Sequence, residues 1–197
     1  MSSSDIQSTF IEAGAVDDDA ISTAAAVGNN APMVLTASPY VPDQPRKITL
    51  HSAGNSSGIT FTVVGLDETG AAATESITGG NAGSVTSTKY YSSVTSITAV
   101  GNPTGDQKAG IAADIAAPIY RGDLRMRGMY AVNTATAGTI NFTQGSASGT
   151  SRLKFNTVAA ANSTEYPDIP EDGVVFRNGG YIVFDQTKLS SITVFYA

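Results

Sequence analysis

The eight residues GITFTVVG, 58 to 65, put Ile59, Phe61 and Val63 on one side of an extended chain and Thr60, Thr62 and Val64 on the other. A helix repeats its faces about every 3.6 residues and cannot sort these side chains, whereas a strand does so every second residue. Similar short β-rich runs fill most of the chain. RKITLH sets Ile48 and Leu50 on one face. MVLTA precedes it, and AATESI, SVTSTKYY and VTSITAVG follow. After them come GMYAVNTA, GTINFTQG, SRLKFNTV, GVVFRN, GYIVFDQ and SITVFYA. Glycine, asparagine, aspartate and serine punctuate these runs, and such residues favour turns through free φ or local side-chain hydrogen bonds. LDETGAA reads as a hairpin loop with Gly70 available for positive φ. Short strands at this turn spacing predict an all-β fold of two small antiparallel β-sandwich or jelly-roll-like modules.

The pattern also predicts where those modules lie. Residues 1–32 have no clear period. Ala20–Val27 could form two helical turns after Asp17–Asp19, whose charges suit a helix start. A helix that short is marginal alone, so this segment is expected to be an extended arm that orders against something else. The first module is assigned to 33–105 and the second to 124–197. Between them, 106–123 is rich in Gly, Pro and Ala and reads as a connector. The closing run places Ile192, Val194 and Tyr196 on one face and Thr193 and Phe195 on the other. One of these faces is expected in the module core and the other against a neighbour.

Charge narrows the possible partners. The chain has 11 Lys+Arg against 17 Asp+Glu, a formal net charge of -6, which opposes binding to a nucleic-acid polyanion. Charged residues make up 14% of the chain, against about 25% in an ordinary soluble domain. Few charges leave a surface with little electrostatic protection against association. No apolar run approaches the ~18 residues a membrane helix needs. The N-terminal MSSSDIQSTFIEAG has neither the basic nor the apolar region of a secretory signal, so synthesis in the cytoplasm is expected.

Candidate chemistry is sparse. Gly54-Asn55-Ser56-Ser57-Gly58 fits the G-x-S-x-G of a serine nucleophile elbow, and the chain's one histidine, His51, lies five residues upstream. An elbow needs strand, sharp turn and helix. Here the residues after Gly58 alternate as a strand, so the stretch reads as a polar turn and no catalytic residue is assigned. With no cysteine and one histidine, a metal site could use only oxygen ligands. VDDDAIS is the densest acidic run but lacks the spacing of a calcium loop, and neither cofactor nor metal is expected. Asp67, Glu68, Asp168, Glu171 and Asp172 read as solvated turn carboxylates rather than a glycosidase pair. Arg121-Gly122-Asp123 spells a receptor tripeptide, and Asn55, Asn141 and Asn162 spell glycosylation acceptors; neither has the context it needs. The candidate interface residues are Phe10 and Ile11 in the arm, Arg121, Arg125 and Arg127 around the end of the connector, and Phe195.

Residues 46–101 resemble a module of virion structural proteins of tailed bacteriophages, especially those of aquatic hosts. The shared features are a strand ending in SAGN, then GITFTVVGLDETG, then ITGGNAGSVTSTKY, then VTSIT. AVDDDAISTAAAV upstream is similar to the segment that leads into that module. GTINFTQGSASGTSRLKFNT, DIPEDGVVFRNGGYIVF and SITVFYA resemble a second small phage β module. The resemblance implies a structural protein of the particle, without enzymatic residues to carry over. It favours a capsid decoration, or cement, protein on the outer capsid surface. Such a protein would bridge major capsid protein subunits as a homo-oligomer, a trimer favoured. The alternatives are a neck, tail or fibre-base component, or a carbohydrate-binding tail protein, which would need an aromatic platform.

Overall fold

The computed structural model describes residues 6–12 and 14–197. Every regular element among them is a β-strand. In chain order these are β1 (Gln7–Glu12), β2 (Asp17–Ala26), β3 (Arg46–Asn55), β4 (Thr60–Asp67), β5 (Ala72–Thr78), β6 (Asn81–Val100) and β7 (Asp106–Tyr120). They continue with β8 (Leu124–Asn133), β9 (Thr139–Gln144), β10 (Thr150–Asn156), β11 (Thr164–Glu165), β12 (Val174–Phe176), β13 (Gly180–Asp185) and β14 (Leu189–Tyr196). The chain divides into two compact units. One is Ala15–Ala113, and the other is the segment up to Gly14 together with Asp114–Ala197. The division falls inside β7, whose residues are taken below with the unit to which each belongs.

In the 15–113 unit the strands lie in the order β7, β3, β6, β4, β5, with β2 also paired to β7. The 20-residue β6 bends the sheet: its first half, to Tyr91, pairs with β3, and its second half, from Tyr91, pairs with β4. At the bend a Cβ on Gly65 would lie 2.0 Å from the carbonyl oxygen of Ser93, so β4 can approach β6 there only with glycine. The curl is fastened by Glu75 of β5. Its carboxylate accepts the Thr88 amide at 2.7 Å, the Thr88 hydroxyl at 2.9 Å and the Lys89 amide at 3.2 Å, all on the first half of β6. Inside lie Ile48 and Leu50, Phe61 and Val63, Tyr91, Val94 and Ile97, the inward partners of the alternation. Burial, and after it the charge of Glu75, push the Tyr91 phenol above its ordinary value.

A second polar group is buried in this unit. Arg46 has no exposed surface. Its guanidinium donates from Nε and Nη2 to the two oxygens of Asp43, at 2.8 and 2.9 Å, and from Nη1 to the carbonyl of Ala112 at 3.2 Å. The planar two-pronged match to a carboxylate is what lets a guanidinium leave water.

The other unit is sandwich-like. One sheet runs β1, β14, β8, β11, with β12 also on β8; the second runs β10, β9, β13 and the latter half of β7. Its core draws on both: Ile11, Met126, Met129, Phe176, Ile192 and Val194 from the first, Ile115, Ile119, Ile140, Phe142, Ile182 and Phe184 from the second.

Four sequence expectations change. The segment expected as an arm supplies two strands, and it buries Ile11 in one core and Ile21 in the other. Ala20–Val27 does not form helical turns, because backbone partners are available on β7, where Ser22 pairs with Ala109 and Ala25 with Gln107. The expected connector, 106–123, is mostly the 15-residue strand β7. Its residues are buried in consecutive runs, so no alternation marks it. Its small side chains follow from close packing. A Cβ on Gly110 would lie 2.1 Å from the Asp17 carbonyl oxygen. Glu68, expected in solvent, is buried.

Candidate interaction surface

The sheet β1–β14–β8 has two unlike faces. Ile192, Val194 and Tyr196 of β14 point inward, and Thr9 on β1 donates its hydroxyl to the Ile119 carbonyl at 3.0 Å. Residues directly opposite in an antiparallel pair share a face. Phe10 opposes Thr193, and Thr193 opposes Tyr130, so these three form one outward rung across the sheet. Ser8, Phe195 and Gly128 form the next. Phe10 and Phe195 are therefore diagonal neighbours on the outward face. The Phe195 ring extends across Gly128, where a Cβ would sit 3.7 Å from it. Beyond Tyr130, the ring of Tyr166 follows at a centroid distance of 4.9 Å, tilted by 58°.

These aromatics meet water. Phe10 is 60% exposed, Tyr166 68% and Phe195 38%. Among the two rungs and Tyr166 there is no group charged near neutrality; Glu12 lies one rung further along β1, and Arg125 and Arg127 precede Gly128 on β8. Large exposed apolar side chains gathered on one face of a sheet mark a surface that a partner covers more often than chance exposure does. Aromatic rings supply large contact area with few rotatable bonds.

The candidate residues thus divide. Phe10 and Phe195 come together on this face. Ile11 does not: it is 2% exposed and faces the core, because its neighbour Phe10 takes the outward position. Arg125 and Arg127 of β8 hold the loop before β12. Arg125 donates to the Asp172 carbonyl, and Arg127 to that of Glu171 at 2.6 Å. They brace Gly173, whose φ of +68° and Cβ site 2.4 Å from the Met126 carbonyl require glycine. Arg121 is exposed in the β7–β8 connection. Asp123, two residues on, is taken by the Arg177 guanidinium at 2.8 Å and the Asn178 amide at 2.8 Å, so the tripeptide is not offered as an open loop. Tyr130 and Tyr166 had escaped the sequence reading. Tyr130 was recoverable, since Met129 and Ala131 on either side are core residues of an alternating run. Tyr166 lies in EYPDIP, where no period exists to assign a face.

The other motifs resolve locally. Asn55 ends β3, Ser56 and Ser57 turn, and β4 begins at Thr60, so a strand stands where an elbow needs a helix. Ser56 is fully buried and its Oγ has no hydrogen-bond partner. His51 lies along β3, on the order of 13 Å from Asn55 at the rise of an extended chain. Asp17, Asp18 and Asp19 have exposed carboxylates within 4.8 Å of one another, and Lys108 pairs with Asp18. A cavity of about 30 Å³ between Met129, Ile140, Phe155 and Glu165 is far below the size of a metabolite site.

No family model, no curated protein and no solved structure matches this chain.

Proposed function

We propose that the chain is a structural protein of a tailed-bacteriophage virion, and within it a decoration protein that lies on the outer shell and bridges major capsid protein subunits. The observation that carries this reading is the pair of aromatic rungs on the outward face of β1–β14–β8, which hold no charged side chain, on a chain with only 14% charged residues. Such a face suits permanent burial against other protein. The net charge of -6 favours the outside of a shell over the side that faces packaged DNA. The motifs shared with phage modules point to the same setting.

Copy number tests the assignment. Quantitative mass spectrometry of purified particles should find the chain in proportion to the major capsid protein, and imaging should place it on the shell. A number fitting a single ring would move it to the neck, tail or fibre base. Absence from particles would end the virion reading.

One observation favours a second reading. The row Phe10, Tyr130 and Tyr166, with the Thr193 hydroxyl between the first two and the Ser8 hydroxyl on the adjoining rung, offers flat rings and neutral hydrogen-bonding groups of the kind that stack on sugars. Retention on immobilised host polysaccharide, lost in Tyr166→Ala with the fold intact, would make this a glycan-binding tail protein.

A further inference from the structure

The free strand edges of this protein are unequally protected. β10 ends its sheet carrying Arg152 and Lys154, with a register shift between Ser151 and Leu153. β11 has two residues and β12 three. β5 is met by the charged Lys89 of β6, whose Nζ donates to the Thr74 carbonyl at 3.0 Å and whose amide donates to Glu75. β2 begins with three aspartates and shifts register twice against β7. Charge, brevity and bulges of this kind stop an edge from recruiting another strand. β1 has none of them over most of its length. It is the terminal strand of its sheet, and its six residues pair with β14 without a register shift. QSTFIE has no proline, lysine or arginine, and its single charge is at Glu12.

We propose that β1 pairs with β1 of a second copy of this chain about a two-fold axis, with Phe10 opposite Phe10. The register follows from the faces. A two-fold axis normal to the sheet keeps outward residues opposite outward residues, so opposed positions differ by an even number. Centring on Thr9 sets the Glu12 carboxylate against the exposed, apolar Ile6 of the other copy. Centring on Ile11 sets it against Phe10. Centring on Phe10 sets Glu12 against the Ser8 hydroxyl, Ile11 against Thr9, and the two phenylalanines against each other, a favourable cross-strand pair. In no position along this register does a carboxylate face a carboxylate. Two copies with a net charge of -6 repel at a distance, and along β1 the approach meets a single carboxylate, Glu12. The aromatic rungs of the two copies then run on across the joined sheet. The pairing is two-fold, unlike the trimer that the phage resemblance favours, and it needs only this chain, whatever its place in a virion.

The contact is a single strand pair with a flanking rung, an area typical of weak association. Sedimentation of the full chain from about 5 µM to about 1 mM should therefore show a monomer–dimer equilibrium. Phe10→Lys should shift it to monomer with an unchanged thermal melt, since Phe10 lies outside the core. The chain has no cysteine, so introduced ones report geometry. Phe10→Cys should give disulfide-linked dimers under mild oxidation. Ser8→Cys alone should link far less, and Ser8→Cys combined with Glu12→Cys should link efficiently. A native chain that stays monomeric throughout, or a trimer indifferent to Phe10→Lys, overturns the proposal. Ser8→Cys linking as fast as Phe10→Cys overturns it too, and so does preferential linking through Phe195→Cys, which would mean that sheet faces dock instead of edges.

Discussion

The two units solve the same problem by different means. The 15–113 unit is one sheet bent back on itself. It holds its shape with charge-assisted hydrogen bonds: those from the buried Arg46 to Asp43, and those that the Glu75 carboxylate accepts from exposed Thr88 and Lys89 on β6. The 114–197 unit closes an apolar core between two sheets and keeps its ion pair at the surface, where Arg177 meets Asp123. A bent single sheet has no facing sheet to fix its curvature, so directional bonds help to hold the bend. Two facing sheets fix each other by interdigitation. The first design draws stability from a few directional polar groups as well as from its apolar core. The second spreads it over many apolar ones and leaves the outward face of β1–β14–β8 for aromatic contact.

Removing Ser191–Ala197 should break the contrast most severely. It takes away Ile192, Val194 and Tyr196 and opens both β1 and β8. Each large apolar side chain lost from a core costs about 2–5 kcal/mol, and three exceed what a small domain has to spare. Hydrogen exchange should find the 114–197 strands unprotected while β3, β4 and β6 stay protected. Loss of protection everywhere would mean that the units fold as one.

Asp43→Ala is the corresponding strike on the other unit. It leaves the fully buried Arg46 cation without its bidentate partner, which should cost about 3–5 kcal/mol by denaturant unfolding. Asp123→Ala removes an exposed pair and should cost well under 1 kcal/mol. Equal effects at the two positions would refute the assignment of stability to buried pairs in one unit alone.

Much of this division was legible in advance, and what was not has physical reasons. Alternation located the β3, β4 and β14 faces, because each strand has one wet side. β7 was misread as a connector because burial in consecutive runs erases the period. β1 and β2 were misread as an arm because a strand that adds to an existing sheet needs backbone partners more than a pattern of its own. On the surface, Phe195 was legible as an apolar residue out of phase with a core face, whereas Phe10 was named with Ile11 in an arm without a period. That they share one face depends on the β1–β14 register, which pairs chain positions 7 with 196 and 12 with 191. No local pattern encodes a pairing so distant. The buried Arg46 was invisible for a similar reason, since an arginine that opens a strand reads as solvated.

Acid should affect the two units through different groups. The Arg177 guanidinium, then the Asn178 amide, hold the Asp123 carboxyl below its ordinary range. A depressed folded value means stability that is fully present above the unfolded value, about 3.9, and lost as pH falls through the folded one. In the other unit burial raises Asp67, but hydrogen bonds from the Thr69 hydroxyl and from the amides of Ala71, Thr69 and Gly70 outweigh it and leave the carboxyl low. Its contribution is lost over the same window. At high pH the raised Tyr91 acts the other way: its contribution is complete below about 10 and fades as pH rises through the folded value. Asp123→Asn should flatten the acid limb of the 114–197 unit alone, read by pH-dependent melting with exchange resolved along the chain. An unaltered acid limb would remove Asp123 from the account.

Ser56→Ala should have the smallest effect. The side chain is buried and its hydroxyl has no partner. A buried hydroxyl without a hydrogen bond gives up its hydration and gains nothing, a cost of about 1–3 kcal/mol in the folded state. Alanine removes the oxygen and its cost together, against the small cavity that one missing atom leaves. The melting temperature should stay within error or rise. Gly79 lies against the Ser56 carbonyl and Cβ, the latter 2.9 Å from where a Cβ on Gly79 would be, so the site has no room for a larger side chain, and Ser56→Val should destabilise by the overpacking typical of tight cores, about 1–3 kcal/mol. The pair of variants separates a packing role from a chemical one. A marked loss of stability in Ser56→Ala would mean that the hydroxyl is bonded in solution, and a lost hydrolytic activity with the fold intact would return the G-x-S-x-G reading to consideration.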